Sequence, residues 1–145
     1  MNMTATETRS VTVEREFPHA PEKLWRALTQ PHLIEDWLMK NDFQPKVGHQ
    51  FRLSAPPQPG WNGVIDCKVL VVEPLKTLSY TWVAGEGALA IDSVVTLSLT
   101  PKGTGTLLRV EQTGFRPDQK QNYNGAKYGW QHFLGQLDQV LAKLA

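Results

Sequence analysis

The residues able to do chemistry are few and scattered along the chain. The four histidines, His19, His32, His49 and His132, stand at no metal-ligand spacing from one another or from Cys67, the single cysteine. A cysteine-based zinc cluster and an internal disulfide are therefore excluded. No HExxH, GxGxxG, Walker A or GxSxG pattern occurs. Glu35 and Asp36 are adjacent acids on a helix, which reads as a solvated face rather than a catalytic pair. No nucleophile stands beside an activating base. Acid, base or orienting work would fall to isolated groups, namely His49, Tyr80 or Arg15. No catalytic residue is assigned, and neither a metal nor a cofactor is expected.

The other conspicuous set is aromatic. Five tryptophans stand in 145 residues whose formal net charge is +1. The balance of 15 basic and 14 acidic side chains speaks against a nucleic-acid partner, which calls for a basic surplus. The longest apolar run in the strand regions, Val69 to Val72, is far short of the roughly 20 residues that span a membrane. Residues 1–10 lack the apolar stretch of a signal peptide and read as a flexible start. Residues 11–145 read as a single domain, long enough to bury a core. A single cysteine suits a reduced, cytoplasmic setting.

These side chains must be positioned by regular elements. Val11 to Phe17 alternates apolar and polar, the pattern of a half-buried strand. Pro21 opens a helix with Glu22 in its first turn, and Pro31 opens a second; proline suits the first helical position. The apolar residues Leu24, Trp25 and Leu28, then Leu33, Ile34, Trp37 and Leu38, face inward. Strands follow over about 49–55, 63–73, 76–83, 91–100 and 104–113, with a short extra one near Phe43. The turns between them, including Pro56 to Gly60, Gly85-Glu86-Gly87 and Pro101-Lys102-Gly103, carry loop chemistry. Short turns predict an antiparallel meander. Asp118 is the expected N-cap of a long helix, in which Trp130, Phe133, Leu134, Leu137, Val140, Leu141 and Leu144 recur every three or four residues. The fold class is α+β, a curved antiparallel sheet of six or seven strands facing a long C-terminal helix.

Strand parity gives the inner face. It carries His49, Phe51, Cys67, Tyr80, Trp82, Val95, Leu97 and Val110. Arg15, Ser93 and Gln112 are polar groups with the same inward parity, and buried polar groups need partners. Gly125 and Gly129 in the long helix each cost about 1 kcal/mol relative to alanine; at Gly129, one turn before Phe133, the missing side chain leaves room or lets backbone approach closely. Both features favour a cavity between sheet and helix. Its candidate wall residues are Arg15, Gln112 and the eight inner-face residues from His49 to Val110 just named, together with Trp37, Tyr123, Gly129, Trp130 and Phe133. Trp61, after the proline-rich turn, is a candidate lid. Competing roles exist within the set. Trp25 and Trp37 sit at packing positions of the helix pair, Cys67 also fits as a small buried hydrophobe, and Arg15 as a snorkelling or paired side chain.

Several segments resemble a known family. Pro21-Glu22-Lys23-Leu24-Trp25-Arg26-Ala27-Leu28-Thr29, followed by Leu33 and Trp37, resembles the opening signature of the family named for the activator of the heat-shock protein 90 ATPase, within the START-like SRPBCC superfamily. Glu73 to Trp82 resembles its central motif. Thr113-Gly114-Phe115, and Gly129-Trp130 with Leu134 and Leu137, resemble its closing ones. The resemblance runs from about Val11 to the C-terminus. It implies a helix-grip fold, with the sheet wrapped around the C-terminal helix and an apolar cavity between. It carries over no universal catalytic residue.

Three functions are compatible with these features. The first is binding of an apolar small molecule of lipid, polyketide or aromatic type. The second is a cyclase or hydrolase acting on such a ligand. The third is a chaperone contact or another protein interaction. An edge strand leaves both a monomer and a homodimer open.

Overall fold

A computed structural model describes residues 9–59, 61–85 and 90–144. Residues 1–8, and Gly60, Glu86 and Gly87 of the expected turns, lie outside the described residues. Strand β1 (Arg9–Phe17) leads into helix α1 (Pro21–Thr29) and helix α2 (Pro31–Trp37). Strands β2 (Lys40–Asn41), β3 (Gln50–Ser54), β4 (Val64–Glu73), β5 (Thr77–Ala84), β6 (Ile91–Lys102) and β7 (Gly105–Phe115) follow. Helix α3 (Lys120–Lys143) closes the fold.

The strands form one seven-stranded antiparallel sheet in the order β1-β7-β6-β5-β4-β3-β2. Strands β2 to β7 are the expected meander. β1 joins beside β7, so the α1–α2 pair carries the chain from one edge of the sheet to the other. The expected strand near Phe43 forms slightly earlier, at Lys40–Asn41, and Phe43 itself is buried beyond it.

Each bend has a local cause. Pro21 and Pro31 stand in the first turns of α1 and α2, where the missing N–H would have had no helical partner. The Trp37 indole N–H donates to the Ala27 carbonyl at 2.9 Å, and Gln136 Nε2 of α3 donates to the Trp37 carbonyl at 3.1 Å. These bonds tie α1, α2 and α3 together. In β7, Gly114 has φ +122°, and a Cβ there would come within 2.6 Å of the Asp92 carbonyl oxygen. Only glycine allows β6 and β7 to approach so closely while the strand bends.

The start of α3 differs from the expectation. Gln119, not Asp118, occupies the N-cap position. Asp118 instead pairs with Arg116 at 3.3 Å, while the buried Gln119 side chain receives the Arg116 backbone N–H and donates to the Ala90 carbonyl. The segment before α3 is thus fastened to the start of β6, which an amide can do by donating and accepting together.

The core fills the space between the sheet and the three helices. Val69, Leu78, Val95, Leu108, Leu137 and Leu141 are 0% exposed, so the mid-strand apolar set and the C-terminal half of α3 both contribute to this core. The N-terminal half of α3 is different. There the helix carries Gly125, Ala126 and Gly129 where large side chains would otherwise reach the sheet.

Candidate functional site

A cavity of about 390 Å³ opens between the first half of α3 and the β4–β7 part of the sheet. Trp82 and Ala84 of β5, Ile91 of β6, Gln112 of β7 and Ile65 of β4 form the sheet side. Gly125, Ala126, Gly129, Trp130 and Phe133 form the helix side, with Gln121 and Asn122 nearer its start. Met39, Pro59, Trp61 and Gly85 complete the wall. No charged side chain is among these described lining residues.

The aromatic walls are locked by mutual packing. The Trp82 and Trp130 rings lie 5.4 Å apart at 53°, and Trp130 meets Phe133 edge-on at 5.7 Å. Such tilted contacts bring the positive edge of one ring to the negative face of another. Trp61 is fixed differently. Its backbone N–H and C=O both bond to Gln58 at 2.9 Å, and its indole N–H donates to the Val64 carbonyl at 2.8 Å. Trp61 therefore stands beside the cavity as a side chain held at both ends.

The glycines of α3 open the other wall. A Cβ added at Gly125 would meet no atom within 4 Å, and one at Gly129 would touch only Phe133, at 4.0 Å. Neither position is forced to glycine by a neighbouring backbone. The missing side chains leave open space, at a helix-propensity cost of about 1 kcal/mol each.

A polar relay runs behind the tryptophans. The Trp130 indole N–H donates to Gln112 Oε1 at 2.8 Å, Gln112 Nε2 donates to Ser93 Oγ at 2.9 Å, and Ser93 Oγ donates to the Trp82 carbonyl at 2.8 Å. All three side chains are at most 2% exposed. The inward polar residues thus have protein partners. Among the described residues no buried side-chain nitrogen or oxygen lacks one.

The remaining candidates lie away from the cavity. Arg15 is exposed and bonds to Asp138 of α3 at 3.1 Å. Its strand parity is inward, but it sits on the edge strand β1 where α3 runs past. His49 lies just before β3, its Nε2 2.9 Å from the Asp42 carbonyl oxygen and its ring stacked on Phe51. Phe51 and Tyr80 pack edge-on with Phe43, at 5.1 to 6.3 Å between ring centres. Burial raises the Tyr80 phenol above its ordinary range, with the Cys67 thiolate a smaller cause. The Cys67 thiol is pushed up to about 12 by burial first, then by Asp66 and Asp42. Both groups are neutral at physiological pH. Val95, Leu97 and Val110 are core, Trp37 is enclosed by α1 and α3, and Tyr123 packs edge-on against Phe115.

Of the sequence-derived set, Trp82, Gln112, Gly129, Trp130, Phe133 and Trp61 surround the cavity. The candidate set does not include Met39, Pro59, Ala84, Ile91, Gln121, Asn122 or Ala126, although Ala84 and Ile91 share the inward parity of Trp82 and Ser93. The run of small residues in α3 was the available signal for Ala126. The loop residues carried none.

The model of the activator of Hsp90 ATPase homolog 1-like proteins matches residues 18–142. The chain belongs to this family. Among solved structures of the same fold, MLL2253 from Mesorhizobium loti is 60% identical with a TM-score of 0.88, covering 94% of this chain and 99% of that one. DynU16, from the dynemicin biosynthetic locus, is 25% identical with a TM-score of 0.77; 92% of this chain matches 47% of it. The Aha1 dimer from Colwellia psychrerythraea, 18% identical with a TM-score of 0.78, covers 92% of this chain and 96% of that one, and shares the fold. No curated protein matches the sequence. Among the described residues, no helix is long and apolar enough to cross a membrane, and no three metal-ligating side chains gather.

Proposed function

We propose that the protein binds a small, uncharged, largely apolar ligand between α3 and the sheet. The observation that carries this reading is the cavity itself. It has about 390 Å³ of space, aromatic walls, no charged lining residue among those described, and two α3 glycines beside open space. Sites of this size and lining take small molecules, with a few polar groups fixing orientation. The likeness to a protein of the dynemicin biosynthetic locus supports the same reading. The groups available for acid-base work, His49, Tyr80 and Arg15, are outside the lining set, which favours binding over turnover.

Titration with long-chain alcohols, flavonoids and polyketide-like aromatics, followed by tryptophan fluorescence, tests the proposal. Trp82 and Trp130 report directly from the wall. Saturable quenching that disappears on Gly129→Leu is expected. Saturation by no member of the panel, together with no small-molecule adduct in native mass spectrometry, overturns it. A chaperone-directed role would instead appear as a changed Hsp90 ATPase rate on adding the protein.

A further inference from the structure

The relay behind the tryptophans has a direction that its chemistry dictates. An indole nitrogen is a donor only, so the atom of Gln112 that faces Trp130 must be the amide oxygen. That choice turns Nε2 toward Ser93, whose hydroxyl already donates to the Trp82 carbonyl and so receives the amide N–H on a lone pair. Three bonds therefore hold one amide in one orientation. Nε2 carries two hydrogens, and the hydrogen bond to Ser93 uses one. The second has no protein acceptor among the described residues. Gln112 is 1% exposed, yet it belongs to the cavity lining. It is the buried amide of that lining. Gln121 is exposed and Asn122 half-buried, both on α3.

We infer that Gln112 selects the ligand by donating its second Nε2 hydrogen to a neutral carbonyl oxygen on an otherwise apolar aromatic molecule. The inference rests on the ligand-binding reading above and names the chemical class of its ligand. A carboxylate is disfavoured, because the described lining has no cation to pair with it in a desolvated site. A pure hydrocarbon leaves the amide hydrogen unpaired once it displaces water. A ketone satisfies it, and Trp130 and Ser93 keep the donor from rotating away. Ser93 and Trp130 are thus positioning residues for Gln112, and Trp130 is also a wall.

The probes are fluorenone and fluorene, flat molecules of nearly equal size that differ by one carbonyl. Binding is read by tryptophan quenching. The ratio of the fluorene Kd to the fluorenone Kd is compared between the wild type and the double variant Gln112→Leu/Trp130→Phe. The second substitution prevents a freed indole N–H from replacing the amide. One hydrogen bond in a dry site corresponds to a ratio that falls about tenfold in the double variant. The infrared carbonyl stretch of fluorenone bound to the wild-type protein provides a measurement independent of whether the variant folds. A stretch lower than in an apolar solvent is expected. An unchanged ratio, or a bound stretch at the apolar-solvent value, overturns the role of Gln112 while leaving ligand binding intact. Failure of both probes to bind the wild type overturns the ligand-binding reading itself.

Discussion

Trp130 of α3 and Gln112 of β7 are joined by a 2.8 Å hydrogen bond from the indole nitrogen to the amide oxygen, in a site where both side chains are at most 2% exposed. The bond fastens the helix to the sheet at the cavity and leaves the apolar side of Trp130 as its wall. A structural tie and a binding surface therefore share one residue.

Breaking this tie is costly. Gln112→Leu leaves the Trp130 N–H without its acceptor and Ser93 without its donor. The expected loss is about 1–3 kcal/mol in urea unfolding. Ser93→Ala removes an acceptor but leaves Trp130 paired, so its loss should be smaller. Equal stability of Gln112→Leu and wild type would show that the relay contributes nothing.

The α3 glycines should reverse the usual sign of a core substitution. Gly129→Ala places a methyl group against only Phe133, at 4.0 Å, and Gly125→Ala meets nothing. Each should stabilise the protein by up to about 1 kcal/mol through helix propensity. The same changes narrow the cavity. A raised Tm with weakened ligand binding is expected for Gly129→Ala, read by calorimetry and fluorescence titration.

Glycines in strained loops should behave oppositely. Gly63 has φ +85°, and its Cβ would collide with the Ala55 carbonyl oxygen. Gly63→Ala must shift the β3–β4 connection that carries Trp61, with a loss of roughly 1–3 kcal/mol. Leu75 is the complementary case, an exposed leucine at φ 68° in the β4–β5 turn. Leu75→Asn suits that conformation, and a gain of about 0.5–1 kcal/mol in thermal unfolding is expected.

Alkaline pH should weaken the fold through Cys67. Its thiol titrates at about 12 in the folded chain against an ordinary 9.0. Between these values the unfolded state has released its proton and the folded state has not. Stability is therefore complete below about pH 9 and is lost progressively as pH rises toward 12. Tyr80, also raised, acts in the same direction from its ordinary 10.0 upward. Cys67→Val should flatten the part of the pH–stability curve that begins near 9 and leave the Tyr80 part. Iodoacetamide should react slowly with native Cys67 at neutral pH, since the thiolate is the reactive form.

Much of the architecture was legible because its signals are local. Alternation in β1, β4 and β6, the two prolines that start α1 and α2, and the three-to-four spacing along α3 are properties of short windows. They state which face is apolar before any partner is known. The error at Asp118 arose at the same scale. Its residue type suits a cap, but the buried Gln119 reaches both the Arg116 N–H and the Ala90 carbonyl 29 residues away, and that tertiary fastening set the helix start.

The site was legible only in part. Parity states that a side chain points inward, not what stands opposite it. Arg15, His49, Phe51 and Tyr80 all point to the inner side of their strands or lie beside it. Yet the edge position of β1 takes Arg15 to Asp138, and the β2–β3 end of the sheet gathers the other three around Phe43. Inward parity says that Arg15, Ser93 and Gln112 need partners, not which; the fold gives Ser93 and Gln112 each other and Trp130, and gives Arg15 the Asp138 carboxylate.

By itself the sequence determined the fold class, the order of elements, the family and the identity of the aromatic and glycine residues from which a cavity is made. Those follow from periodicity, turn chemistry and motif, which depend on neighbours in the chain. Only the tertiary structure decided which tryptophans share one space, that Gly125 and Gly129 leave it open, and that Gln112 is held in a single orientation. These depend on how α3 docks on the sheet, which brings together groups such as Gln112 and Trp130, 18 residues apart and on different elements. A hydrogen bond is made or lost within tenths of an ångström, a precision that no local pattern carries.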